Sequence, residues 1–181
     1  MKIRLAADLQ TDSIVDGLGI RTVIWTQGCS HNCPACHNPS THDFNAGDLV
    51  ELDEVIYALE NIEGQDGVTF SGGDPMFQAK ACSVLAKKIH ELGMNVWAYT
   101  GFTYEELLKK GNKEILEFLF EIDVLIDGKF DLSKKSLDLE FRGSNNQRII
   151  DIPKSLESHE VVILDLKKKK EENKKKEILY I

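Results

Sequence analysis

Apolar positions along the chain fall into short β-branched runs that alternate with segments of helical period. Arg21 to Thr26 (RTVIWT) predicts a strand. Leu49 to Ile62 carries apolar residues at helical spacing and predicts a helix, with Asp48 as its N-cap. Gly67 to Ser71 predicts a short buried strand, and Phe77 to Leu92 a helix that Gly93 ends. Asn95 to Thr100 predicts a strand and Thr103 to Lys110 a helix capped by Thr103. Glu114 to Phe120 continues helical, Asp123 to Asp127 is strand-like, and Val161 to Leu164 predicts a last strand.

Strands alternating with helices imply βαβ units around a mostly parallel sheet with right-handed crossovers. Four or five such units are too few to close an eight-fold barrel, which takes about 250 residues. The expectation is an α/β fold built as an open, incomplete (β/α) barrel. Ligands in such folds sit at the carboxyl ends of strands. Four unusual loops follow predicted strands: the cysteine-bearing run after Thr26, Ser71 to Pro75, Gly101-Phe102 and Asp127 to Lys129. One rim carrying all four is what a single active site requires.

A length of 181 residues suits one domain, and a hydrophobic share of 42% supplies its core. No apolar run is long enough to span a bilayer, and no long apolar stretch follows the charged start as in a secretory signal. The expectation is a cytoplasmic protein without a membrane partner. A net charge of −8 argues against a general nucleic-acid binder. Residues 167–176 hold seven Lys and two Glu, a net +5 that leaves −13 on the rest. The domain is therefore drawn as 1–166, followed by a lysine-rich segment, 167–181. That segment reads as a solvated terminus or as an electrostatic docking tail for an acidic protein.

The chemistry concentrates in Cys29, Cys33 and Cys36, spaced C-x3-C-x2-C. Three thiols so close can converge on one inorganic centre. A [4Fe-4S] cluster usually takes four thiolates, so three leave one iron open to a substrate. The competing reading is structural zinc, which prefers four closed ligands, commonly in paired knuckles. No second C-x2-C follows, although His31 or His37 stands within the loop as a fourth donor. The remaining thiol, Cys82, lies in a predicted helix and reads as a small buried apolar residue. Asn38 either orients the loop or makes a local turn into Pro39. His31, His42, His90 and His159 belong to no evident constellation.

Ser71-Gly72-Gly73-Asp74-Pro75 lets the backbone approach a ligand closely. Its carbonyls can accept from an ammonium group, and Asp74 adds negative charge. Asp127, Lys129, Arg142 and Arg148 are candidates for binding a carboxylate or a partner; both arginines can do so in bidentate fashion. The run Phe141 to Asp151 is too polar for a core strand and reads as a hydrogen-bonded surface loop.

The cysteine spacing and the Gly-Gly-Asp-Pro run together resemble the radical S-adenosylmethionine (SAM) enzymes. That resemblance implies a partial barrel of the radical SAM type. Cys29, Cys33 and Cys36 would hold a [4Fe-4S] cluster and act catalytically through it. Gly72, Gly73 and Asp74 would take the amino group of SAM, Asp74 standing where the family usually has Glu. Ala35 stands where many members place an aromatic against adenine, so only its backbone is available to the base; Tyr99 and Phe102 are possible substitutes. His37 and Asn38 complete the cofactor-binding candidates. Val15 to Arg21 and Cys36-His37-Asn38-Pro39 are similar to the activating enzymes of glycyl-radical enzymes. The runs Leu125 to Phe130 and Phe141 to Asp151 narrow the likeness to activators of anaerobic ribonucleoside-triphosphate reductase. The implied partners are that reductase and a flavodoxin-like or ferredoxin-like electron donor. The alternatives are an activase of another glycyl-radical enzyme, such as pyruvate formate-lyase, and a zinc-binding interaction module.

Overall fold

A computed structural model describes residues 1–178, with side chains described through residue 172. The chain runs β1 (Lys2–Leu5), β2 (Gln10–Ser13), β3 (Arg21–Thr26), β4 (Asp48–Glu51), α1 (Leu52–Glu60), β5 (Gly67–Gly72) and α2 (Ala79–Glu91). It continues with β6 (Asn95–Tyr99), α3 (Tyr104–Lys110), α4 (Lys113–Phe120), β7 (Val124–Asp127), β8 (Arg148–Asp151), α5 (Ile152–Ser158) and α6 (Leu166–Ile178). The strands form one sheet in the order β4-β1-β3-β5-β6-β7-β8, with β2 pairing β3. Its centre, β3-β5-β6-β7, is parallel, whereas β1, β2, β4 and β8 pair antiparallel. The sheet is not closed. The expected α/β fold with an open parallel core is therefore present, with antiparallel flanks the sequence reading did not foresee.

Alternation along the strands separates two cores. Ile24, Val68, Phe70, Val96, Ala98 and Leu125 face one way, into a large cluster with Leu59, Leu85, Ile89 and Phe118 from the helices. Trp97, Val124, Ile126 and Ile149 face the other way, where Leu18 and Leu164 cover them. Period-two alternation across a half-wrapped sheet produces this division. Arg21, fully buried, secures the approach to β3. It donates to Leu18 O (3.0 Å), Thr69 Oγ1 (2.6 Å), Val68 O (2.8 Å) and Asn95 Oδ1 (2.9 Å). Its guanidinium carbon lies 5.1 Å from the Trp97 ring centre, and burial lowers its pKa to about 10.

Several boundaries differ from expectation. Asp48 is not a helix cap: Asp48–Glu51 pairs with β1 in register, and Glu51 takes the N-cap position of α1 without a side-chain capping bond. Leu49 and Val50 thus serve cross-strand pairing rather than a helical face. Arg148–Asp151 is a strand, not a surface loop, because its two apolar residues Ile149 and Ile150 supply one residue to each core. Val161 to Leu164 makes only one isolated bridge, Ile150 to Ile163. Thr103 caps α3 with the reciprocal Glu106 bond of a capping box. Of the lysine-rich segment, Lys170 pairs with Glu140 at 2.8 Å, and the proposed tail beyond 178 lies outside the described residues.

Candidate active site

The four rim loops come together. Cys29, Cys33 and Cys36, each half-buried, line a cavity of about 120 Å³ with Gly72, Gly73, Asp74, Tyr99 and Gly128. Next to it opens a cavity of about 820 Å³, sharing Cys36, Gly72, Gly73, Tyr99 and Phe130 as common wall. Trp25, Phe141 and Arg142 also line it. The larger volume is of the size that takes a small organic ligand. A third cavity of about 600 Å³, beside His90, Trp97 and Asp123, contains none of the thiols.

The cysteine loop is held by backbone bonds at its base. Gly28 N donates to Thr41 O (2.8 Å), and Cys29 N to His42 O (3.1 Å). Within it, Asn32 (φ 49°) and Ala35 (φ 56°) are left-handed, a conformation uncommon for residues with a Cβ. Ala35 and His37 are exposed, and Asn38 is half-buried. Asn38 contributes no side-chain cap to the short 3-10 turn Pro39–Thr41; its carbonyl instead accepts from Thr41.

Gly72 and Gly73 are dictated by packing. Gly72 has φ 94°, and a Cβ there would lie 2.7 Å from Thr26 O. A Cβ on Gly73 would lie 2.5 Å from Gly28 O. The glycine loop thus rides directly on the backbone that leads into the cysteines: Gly73 N donates to Thr26 O (2.7 Å) and Asp74 N to Gly28 O (3.1 Å).

The Asp74 side chain turns into the protein. Its Oδ1 accepts from Met76 N (2.9 Å), and its Oδ2 accepts from Thr100 Oγ1 (2.8 Å), Gly101 N (2.9 Å) and His31 Nε2 (2.6 Å). His31, assigned to no constellation from sequence, is thus part of the site. Only its place between two cysteines hinted at this. His37 meets Phe130 edge-on at 4.8 Å, tying the loop after β7 to the cysteines.

The four undecided candidates separate. Arg148 and Asp127 bind each other, and Asp127 Oδ2 also accepts from Tyr104 N (2.8 Å). Lys129 is exposed and lines neither cavity. Arg142 lines the larger cavity; one amino nitrogen donates to Gln147 O (3.0 Å), while its Nε is buried without a partner. An unmet buried donor beside a cavity is where an anionic ligand group gains most. Of the two possible adenine supports, Tyr99 faces both cavities, and burial raises its phenol pKa. Phe102 instead packs on His31 (4.5 Å between ring centres).

Three free thiols on one loop are the donor type that iron–sulfur clusters take. Ligands of one zinc at about 2.3 Å would bring their sulfurs to within about 4 Å of each other. Among the described residues, no three His, Cys, Asp or Glu groups gather as ligands of a single metal ion. The thiols of a cubane each take a different iron and stand further apart. Burial pushes the thiols of Cys29 and Cys33 above their usual range, so ligation must displace their protons.

An open parallel sheet with a three-thiol loop and a glycine loop on one rim defines an iron–sulfur enzyme of the radical SAM kind. Residues 15–150 match the family described as "4Fe-4S single cluster domain". The anaerobic ribonucleoside-triphosphate reductase-activating protein of Salmonella typhi is 36% identical over 142 residues, 74% of this chain and 90% of that protein. Its counterpart in Escherichia coli K12 is 34% identical over 143 residues, with the same shares covered. The one from Enterobacteria phage T4 is 31% identical over 143 residues, 75% of this chain and 86% of that protein. A crystal structure of QueE from Escherichia coli superposes with a TM-score of 0.47 at 14% identity, covering 57% of this chain and 54% of that one. The chain belongs to the anaerobic ribonucleoside-triphosphate reductase-activating protein family.

Proposed function

We propose that this protein cleaves SAM reductively with a [4Fe-4S] cluster and generates a glycyl radical on anaerobic ribonucleoside-triphosphate reductase. The observation that carries the reading is the wall shared by the two cavities. Cys36 and Gly72-Gly73 border both the thiol-lined nook and the larger space beside it. A ligand in the larger cavity therefore touches cluster loop and glycine loop at once.

Cys29, Cys33 and Cys36 would hold the cluster, which when bound supplies the electron that breaks a carbon–sulfur bond of SAM. The carbonyls of Gly72 and Gly73 accept from the SAM ammonium. Arg142 pairs with the carboxylate through its guanidinium. Tyr99, His37 and Asn38 line the larger cavity, whereas Ala35 lines neither cavity. The open edge of the sheet admits a loop of a protein substrate. The reductant is a flavodoxin-like or ferredoxin-like protein, and the setting is the cytoplasm. Among the described residues no helix is long and apolar enough to cross a membrane.

The test is electron paramagnetic resonance (EPR) of the reductase after anaerobic incubation with reconstituted protein, SAM and a reductant. A glycyl doublet that needs all three components supports the reading. A doublet on pyruvate formate-lyase alone reassigns the partner. Stoichiometric zinc without acid-labile sulfide in anaerobic preparations rejects the reading.

A further inference from the structure

We propose that His31 and Asp74 are a positioning pair: one buried carboxylate joins the loops after β3, β5 and β6, and Asp74 acts on SAM only through the backbone it holds. The proposal rests on the reading of the site given above. Its basis is where the acceptor capacity of Asp74 goes. Both oxygens are engaged by protein donors, and the side chain is 2% exposed. His31 comes from the loop after β3, Asp74 from the loop after β5, and Thr100 with Gly101 from the end of β6. Three of the four rim loops thus meet at one atom, Asp74 Oδ2.

The contact is a built one. The His31 side chain is 7% exposed and lies 2.6 Å from the carboxylate. Phe102 meets its ring edge-on at 4.5 Å, and Phe77 lies at 5.8 Å. A Cβ on Gly101 would lie 2.4 Å from the ring, so this glycine makes room for it. His31 stands two residues from both Cys29 and Cys33, so its bond to Asp74 ties the middle of the cysteine loop to the glycine loop. Met76 N and the amides around Gly73 complete the connection to the glycine carbonyls. Aspartate fits this nest. Glutamate, longer by one methylene, would displace the ring or turn out toward the cavity.

The experiment uses the full chain, reconstituted anaerobically, with iron content, SAM binding and the SAM-induced change in the reduced-cluster EPR spectrum as readouts. His31→Phe keeps a ring and loses the donor; His31→Gln keeps a donor. Expected for His31→Phe and Asp74→Glu are normal iron, a SAM Kd raised about tenfold, and a weakened EPR response. Expected for His31→Gln is a Kd within about threefold of the parent, and for His31→Phe with Asp74→Asn a loss no larger than either alone. Thr100→Val, which removes another donor to the same oxygen, covers the case in which His31→Phe does not fold, and it should raise Kd by about threefold. Weakened SAM binding in Asp74→Asn with none in His31→Phe or Thr100→Val overturns the pair and makes Asp74 a direct SAM ligand. Equal damage from His31→Gln and His31→Phe also overturns it, leaving ring packing alone. A parent protein whose cluster does not respond to SAM fails the functional reading instead.

Discussion

Arg148 opens β8 directly opposite Asp127, the last residue of β7, and the two side chains close on each other across the strands. The other edge of the same guanidinium takes Glu105 of α3 at 2.9 and 2.7 Å. Asp127 is 1% exposed and also receives the amide of Tyr104, so this cluster fixes the start of α3 to the sheet. Both residues are thereby committed to holding the fold. The register explains it: a cross-strand pair this close is an internal tie.

Glu105 gives a pH signature. The Arg148 hydrogen bonds hold its carboxyl at about 2, against 4.5 for the free group. A depressed carboxylate stabilises the fold fully above the unfolded value and loses that contribution as pH falls through the folded one. Urea midpoints of the parent and Glu105→Gln should differ at pH 6 and converge between pH 4.5 and about 2. Glu105 is 58% exposed, so the difference at pH 6 is about 1 kcal/mol or less. A gap that persists unchanged at pH 2.5 rules out this ion pair as its source.

The thiols separate by position. Cys29→Ala, Cys33→Ala and Cys36→Ala should each abolish reductive SAM cleavage, read as 5′-deoxyadenosine release, and lower iron content. Cys82 lies in α2, fully buried, with its thiol pKa raised by desolvation. Cys82→Ala should keep iron and cleavage and cost about 1 kcal/mol through the vacated volume. Full activity in any of the first three variants removes that thiol from the ligand set.

Much of this was legible along the chain, and the failures have physical causes. The parallel strands β3, β5, β6 and β7 are apolar runs buried on both faces, which periodicity reveals directly. The flanking strands are four residues long and half polar or, in β2, wholly so; β8 offers only Ile149 and Ile150 between Arg148 and Asp151. Four residues cannot establish a period, and β4 merges with α1 because Leu49 and Val50 fit either pattern. The cysteines and the glycine loop declared themselves by spacing. The partners of Asp74 did not, because His31 and Thr100 lie 43 and 26 residues away and meet it only through the fold. Arg142 and Arg148 were indistinguishable until register gave one to Asp127 and left the other at the cavity.

The glycine loop has no room for a side chain. Gly73→Ala places a Cβ 2.5 Å from Gly28 O, a backbone atom that cannot swing aside. The loop must lift from the cysteine segment, at a cost of about 1–3 kcal/mol. Calorimetry should show the lower Tm, and SAM affinity should fall with it, since the carbonyls proposed to accept the ammonium move too. A variant of unchanged Tm and Kd would show that the two loops are not in the contact described.

Arg142 supplies the sharpest test of how the larger cavity is used. Its Nε is buried without a partner while an amino nitrogen holds Gln147 O, so the fork keeps one unpaired edge. Arg142→Lys keeps the charge and loses that edge; Arg142→Met keeps most of the stem and loses both. A charge-assisted pair is worth about 1.5–3 kcal/mol, so Arg142→Met should raise the SAM Kd roughly tenfold to a hundredfold. Lysine should recover only part of this, because a point charge cannot reproduce a two-pronged contact. Arg142→Met removes the desolvation cost of the buried unmet donor but also the bond to Gln147 O, so the two effects offset and stability should change by about 1 kcal/mol or less. Weaker binding with little change in stability is a combination that a packing role for Arg142 does not produce. Equilibrium dialysis of SAM against the reconstituted variants, with thermal unfolding on the same samples, measures both.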